Sequence, residues 1–195
     1  MIAIVDLGVG NFANVEKALD VVVTSEPDQI EAADKIVLPG VGNFGEVAER
    51  LEPLRGVLLE KISDGTPFLG ICLGTQLLFP SSSEGEGRGL GALDGEVVSL
   101  PDEAAPHIGW NQLLPENESP LLAGIEPGTY FYFVHSYRVK PDSDDIVTGT
   151  TEYRSGAEVW SFPSAIGKEN LLGVQFHPEK SGEAGLRIMN NFKEL

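Results

Sequence analysis

The sequence has one cysteine, two methionines and three histidines among 195 residues. A lone cysteine excludes an internal disulfide, fits a reducing compartment and argues against a thiolate-held metal site. Cations are also scarce: 13 Lys and Arg face 30 Asp and Glu, giving a formal net charge of −17. Phosphate binding needs clustered Lys and Arg, so nucleic acid is not an expected partner. Nor is there a run of the roughly 20 apolar residues that a membrane span requires, or a basic segment leading into an apolar one. The expectation is a cytoplasmic protein with no membrane association, most simply one domain over residues 1–195.

Strand and helix patterns alternate through the first eighty residues. Strands are expected within Met1–Leu7 and at Val21–Thr24, Lys35–Leu38 and Phe68–Ile71. Helical stretches are expected at Phe12–Asp20 (with Asn11 as N-cap), Pro27–Ala33 and Glu46–Asp64, the last broken or restarted at Pro53. Gly8-Val9-Gly10-Asn11 lacks the full dinucleotide fingerprint and reads as a turn. Beyond the loop Ser81–Gly91 come strands without intervening helices: Gly95–Leu100, His107–Leu114, Thr129–Lys140, Ile146–Tyr153, Val159–Ile166 and Leu171–Phe176. A helix at Gly185–Leu195, with Leu186, Met189 and Phe192 on its apolar face, closes the chain. The pattern is α/β: an open, mostly parallel sheet flanked by helices, with an antiparallel portion.

The cysteine stands at the centre of the strongest motif. Phe68 to Ile71 is apolar enough for a buried parallel strand, and Gly70 and Gly74 lie two residues either side of Cys72. That is the spacing of a nucleophile elbow, a strained strand-to-helix turn in which neighbouring backbone leaves no room for Cβ atoms. The thiol then lies at a helix N-terminus, where free N–H groups favour the thiolate.

A thiol nucleophile needs a base and a group that orients the base. His177 ends a strand, Pro178 biases it towards extended backbone, and Glu179 lies two residues on. In extended chain residues two apart share a side, so both can face the elbow, with Glu179 holding one ring nitrogen. His107 and His135 are weaker candidates for the base. Trp110 reads either as core or as a protein interface, and the sequence leaves both open.

These motifs together resemble the class I, triad-type glutamine amidotransferases. The stretches PGVGNFGE at 39–46, GICLGTQLLF at 70–79, PHIGWNQL at 106–113, YFVHSYRV at 132–139, GTTEY at 149–153 and GVQFHPEKSG at 173–182 carry the likeness. Within that family they are most similar to the glutaminase subunits of imidazole glycerol phosphate synthases, enzymes of histidine biosynthesis. The resemblance implies the flavodoxin-like amidotransferase fold. It also implies Cys72 as nucleophile, His177 as acid and base, and Glu179 as the group orienting His177. The oxyanion hole would be the Leu73 N–H with one from Gly40, Val41 or Gly42, the peptide near Val41 turning into place when the partner is loaded. Gln76, His135, Ser136 and Tyr137 would bind L-glutamine, with neither cofactor nor metal. Asn11, Trp110, Tyr132 and Lys180 would face a (β/α)8-barrel cyclase subunit in a 1:1 heterodimer. Three positions depart from the family pattern: a shortened Leu19-Asp20-Val21 crossover, Thr75 in place of methionine, and Pro80 in place of an acidic residue, which would shorten the elbow helix. The alternatives are a glutaminase subunit serving another pathway and a non-catalytic interaction module of the same fold.

The acidity has two explanations, a solvated acidic surface or adaptation to high salt. If it is adaptation, molar KCl screens the self-repulsion and raises the thermal midpoint above its low-salt value. Equal midpoints would leave the solvated surface as the explanation.

Overall fold

The computed structural model describes residues 1–9, 21–101, 104–155 and 158–195. The expected Phe12–Asp20 helix, Asn11 and the Leu19-Asp20 part of the shortened crossover lie outside these residues. Five strands form the parallel half of a nine-stranded sheet: β1 (Ile2–Val5), β2 (Val21–Thr24), β3 (Lys35–Gly40), β4 (Phe68–Cys72) and β11 (Leu171–Val174), in the order β2-β1-β3-β4-β11. The sheet continues antiparallel through β10 (Glu158–Lys168), β9 (Val147–Ser155), β6 (His107–Pro115) and β7 (Thr129–His135). A separate two-stranded ribbon pairs β5 (Gly95–Ser99) with β8 (Tyr137–Pro141).

Side-chain alternation explains why the central strands β1, β4 and β11 are apolar throughout. Ile2 and Ile4 of β1, and Leu69 and Ile71 of β4, enter one core with Phe131, Phe133, Phe162 and Phe176. Ala3, Val5 and Phe68 enter the other with Phe44, Leu51, Leu58 and Phe79. A strand buried on both faces has no polar side to show, which produces the continuous apolar runs seen in the sequence. The first face is covered by the C-terminal helix α5 (Gly182–Glu194), through Ile188, Met189 and Phe192. The second is covered by α2 (Phe44–Leu51) and α3 (Arg55–Ser63). Among the described residues the remaining α-helices are α1 (Pro27–Glu31) and α4 (Leu73–Gln76).

Several expected boundaries shift. Pro53 lies in a 3-10 turn, Glu52–Leu54, that separates α2 from α3, because its ring cannot continue an α-helix ladder. The expected strand Thr129–Lys140 is two strands in different sheets, parted at Ser136. Leu186 is not on the apolar face of α5: it is 50% exposed, one step in sequence from the buried Gly185 and two from Ile188. The elbow helix α4 is short, ending at Gln76, whose carbonyl Pro80 has no N–H to bond in a continued helix. Among the described residues no helix is long and apolar enough to cross a membrane.

Two glycines set how closely the elbow helix can lie on the sheet. A Cβ on Gly74 would collide with the Leu38 carbonyl, and one on Gly70 would come within 2.7 Å of the Thr75 backbone. Gly74→Ala should therefore destabilise the protein by about 3 kcal/mol or more, since backbone cannot yield as a side chain can. Gly56→Ala, in the first turn of α3 with nothing within 4 Å, should instead stabilise it by roughly 0.4–1 kcal/mol. Urea unfolding of both variants checks the opposite signs; equal midpoints would contradict the packing described.

Candidate active site

Cys72 ends β4 with φ 54° and ψ −112°, a left-handed conformation that non-glycine residues rarely adopt. The bend leaves the side chain 6% exposed at the floor of a pocket of about 360 Å³. Its lining includes Val41, Gly42, Leu73, Gln76, Glu84 and the segment from Val134 to Tyr137. Gly40 is the strand partner of Cys72, so the chain leaving β3 enters the pocket wall directly beside the thiol. The Leu73 peptide follows Cys72 at the start of α4. A larger hollow, about 720 Å³ and lined by Pro115 to Pro120 and Leu122, contains none of the residues with this chemistry.

His177 and Glu179 come together as their two-residue spacing suggests. The imidazole Nδ1 lies 2.7 Å from Glu179 Oε1, with both side chains almost wholly enclosed. The backbone around them is tied to β7: the His177 N–H donates to the Tyr132 carbonyl at 2.9 Å, and the Ser181 hydroxyl donates to the His177 carbonyl at 2.6 Å. Burial alone would lower the His177 pKa, but hydrogen bonding and charge from Cys72 and Glu179 outweigh it and raise the value to about 10. His177 Nε2 is nevertheless buried without a hydrogen bond of ordinary geometry among the described residues. With Nδ1 held by Glu179, Nε2 is the ring nitrogen left for the Cys72 side.

The other two histidines are held neutral. Burial lowers His107 to about 4; burial, helped by the His177 charge and only partly opposed by the hydrogen bond to the Tyr137 carbonyl, lowers His135 to about 3. Neither is placed as a base for Cys72: His107 Nδ1 is engaged by His135, and His135 Nδ1 by the Tyr137 carbonyl. Gln76 donates through Nε2 to the same Tyr137 carbonyl at 3.0 Å, and also to Gln175 Oε1 at 3.1 Å.

Two residues at the site carried no sequence signal. Gln175 is buried and donates through Nε2 to Cys72 Sγ at 3.6 Å. In the sequence it was merely a polar residue in an apolar strand, one of several. Glu84 comes from the loop Ser81–Gly91 and lines the pocket, its Oε2 accepting from the Phe44 N–H at 2.7 Å. Burial raises its pKa. Only its position relative to α2 distinguishes it from the neighbouring acidic Glu86.

Trp110 is 55% exposed, which settles the choice between core and surface. It stands edge-on to Tyr132 at 6.1 Å between ring centroids, and Lys180 Nζ lies 5.8 Å from the Tyr132 ring centre. These three, with the exposed Ile108, form an apolar and cationic patch next to the His177–Glu179 pair.

The family model for class-I glutamine amidotransferases matches residues 6–195, and the chain belongs to that family. Its curated relatives include the imidazole glycerol phosphate synthase subunit HisH of Thermococcus kodakarensis, 57% identical over the whole of both chains. The subunit HisH of Pyrococcus furiosus is 53% identical over all of this chain and 98% of its own. Among solved structures, PurLQS from Thermotoga maritima superimposes with a TM-score of 0.77 at 18% identity, covering 99% of this chain and 97% of that one, a likeness of fold alone.

The histidines give opposite contributions to stability against pH. His177, raised from 6.5 to about 10, adds stability that is complete below pH 6.5 and lost as pH rises towards 10. His107 and His135, lowered from 6.5, add stability that is complete above pH 6.5 and lost as pH falls towards 4 and 3. Ring nitrogen NMR at pH 7 should show one charged and two neutral histidines. A neutral His177 at that pH would contradict the electrostatics described.

Proposed function

We propose that the chain is the glutaminase subunit of an imidazole glycerol phosphate synthase, acting as a single amidotransferase domain in the cytoplasm. The observation that carries the reading is the uncommitted His177 Nε2 on the Cys72 side of a ring held by Glu179, with Cys72 itself lining a pocket that Glu84 also lines. The full-length identity to HisH subunits supports this pathway over another amidotransferase.

In this reading L-glutamine enters with its carboxamide at Cys72. Sγ attacks the amide carbon, and the developing oxyanion is met by the Leu73 N–H and one N–H from the Gly40-Val41-Gly42 segment. One such donor is worth about 3 kcal/mol of barrier. The carbon–nitrogen bond breaks as His177 Nε2 delivers its proton to the leaving nitrogen, releasing ammonia and leaving a thioester on Cys72. Water then attacks the thioester, giving a proton back to His177, and the carbon–sulfur bond breaks to release L-glutamate. Glu179 keeps the ring oriented and stabilises its charge throughout. Gln76, His135, Ser136 and Tyr137 hold the amino-acid end, and the Glu84 carboxylate suits its ammonium group.

The ammonia passes to the partner, a (β/α)8-barrel cyclase subunit in a 1:1 heterodimer. It is incorporated there to give imidazole glycerol phosphate and aminoimidazole carboxamide ribonucleotide. Trp110, Tyr132 and Lys180 are the proposed contact surface, with Asn11, outside the described residues, as a fourth member. An exposed indole flanked by a cation and a phenol is the composition of an interface hot spot.

Cys72→Ala should abolish glutamate release from glutamine in the presence of the cyclase and its ligand, while complex formation persists. Full activity in that variant would overturn the mechanism. Glu179→Gln should lower kcat about a hundredfold or more. Trp110→Ala should raise the Kd for the cyclase about tenfold without shifting the thermal midpoint; an unchanged Kd would overturn the interface assignment.

A further inference from the structure

His107 is buried, lies outside the pocket lining and takes no part in the chemistry just described. It is the middle member of a directed hydrogen-bond chain. The Tyr137 carbonyl can only accept, so His135 Nδ1, 2.9 Å away, carries a proton and donates to it. His135 is neutral, so its Nε2 is an acceptor, and His107 Nδ1 at 2.9 Å must be the donor. His107 Nε2 is then an acceptor in turn, facing Asn111 Nδ2 at 3.1 Å. The Asn111 amide is fixed independently: Nδ2 also donates to the Glu152 carbonyl at 2.9 Å, and Oδ1 accepts from the Gln112 N–H at 2.8 Å. Both ends thus impose the same polarity, from Asn111 through His107 and His135 to the Tyr137 carbonyl. A second proton on either ring would set two N–H groups against each other. Packing reinforces the placement of His107, whose ring lies 4.8 Å from Phe133 and 4.4 Å from Tyr153.

The chain ends on the segment that turns from β7 to β8. The His135-to-Tyr137 bond spans Ser136, whose carbonyl accepts from the Leu100 N–H at 2.8 Å. Gln76 shares the Tyr137 carbonyl, so the pocket wall at 135–137 is pinned from both sides.

We propose that His107, together with Asn111, is a positioning residue for substrate binding: it fixes the His135 tautomer and, through it, the shape of the 135–137 wall against which the amino-acid end of glutamine lies. This deepens the glutaminase reading and rests on it. Loss of the His107 donor leaves His135 Nε2 buried without a partner and frees the ring to turn over. Binding suffers, while Cys72, His177 and Glu179 keep their places.

The test uses the full chain in complex with the cyclase. His107→Phe keeps the aromatic packing and removes both ring nitrogens. It should raise KM for glutamine about tenfold and leave kcat within about twofold. His107→Asn offers an amide N–H near the Nδ1 position and should recover most of the lost affinity. A purely structural His107 would lower the thermal midpoint of both variants without moving KM. An unchanged KM in His107→Phe, a fall in kcat at constant KM, or two variants with the same KM would each overturn the proposal. Ring nitrogen NMR of the unsubstituted full chain gives an independent readout: His107 and His135 should both be neutral with the proton on Nδ1. A proton on His135 Nε2 overturns the positioning chain whether or not glutamine is the substrate. Absence of glutamate release from the unsubstituted complex would count instead against the reaction assigned.

Discussion

The structure depends on one backbone constraint, the left-handed Cys72 between β4 and α4. Such a conformation costs on the order of 1–3 kcal/mol and persists only where the surroundings over-determine it. Here they do. Gly74 packs against the Leu38 carbonyl, Gly70 against the Thr75 backbone, and the Thr75 hydroxyl donates to the Val174 carbonyl at 2.8 Å. The elbow is therefore clamped by β3 on one side and β11 on the other. β3 also delivers Gly40 beside Cys72, and β11 leads straight into Gln175 and His177. The strands that hold the bend thus bring the other groups to it.

The third wall comes from the antiparallel half of the sheet. Along β7, Tyr132 accepts from the His177 backbone, Val134 presents its carbonyl 3.9 Å from Cys72 Sγ, and His135 begins the pocket wall. Trp110, paired across from Tyr132, stands on the outside of the same strand pair. A partner seated on this outer surface would touch the element that positions the histidine. The antiparallel extension thus holds the His177 backbone through Tyr132 and presents the exposed Trp110 beside it.

Much of this was legible in the sequence, for local reasons. Cys72 with its flanking glycines, and His177 with Glu179, are spaced by the geometry of a turn and of extended chain, and the structure puts the latter pair 2.7 Å apart. The central parallel strands were legible because burial on both faces leaves continuous apolar runs. What escaped was set by distant contacts. Glu84 enters the pocket because its loop crosses the start of α2, and Gln175 matters because β11 lies beside β4. The break at Ser136 was hidden because β7 and β8 form one aromatic and apolar run, although they belong to different sheets. Leu186 looked like core because its hydropathy is right and its angular position on the helix is not. Thr75, a departure from the family pattern, fits its surroundings: its methyl fills the space beside Gly173 that a side chain there would need.

The most direct measurement is peptide mapping by mass spectrometry after treating the complex with an electrophilic diazoketone analogue of glutamine. The reagent reacts only where a nucleophile, a proton donor and a glutamine-shaped pocket coincide. The expected result is one adduct per chain, on the peptide carrying Cys72, suppressed by excess L-glutamine. An adduct elsewhere, or labelling of Cys72 that glutamine does not suppress, would contradict a thiol poised in a glutamine site.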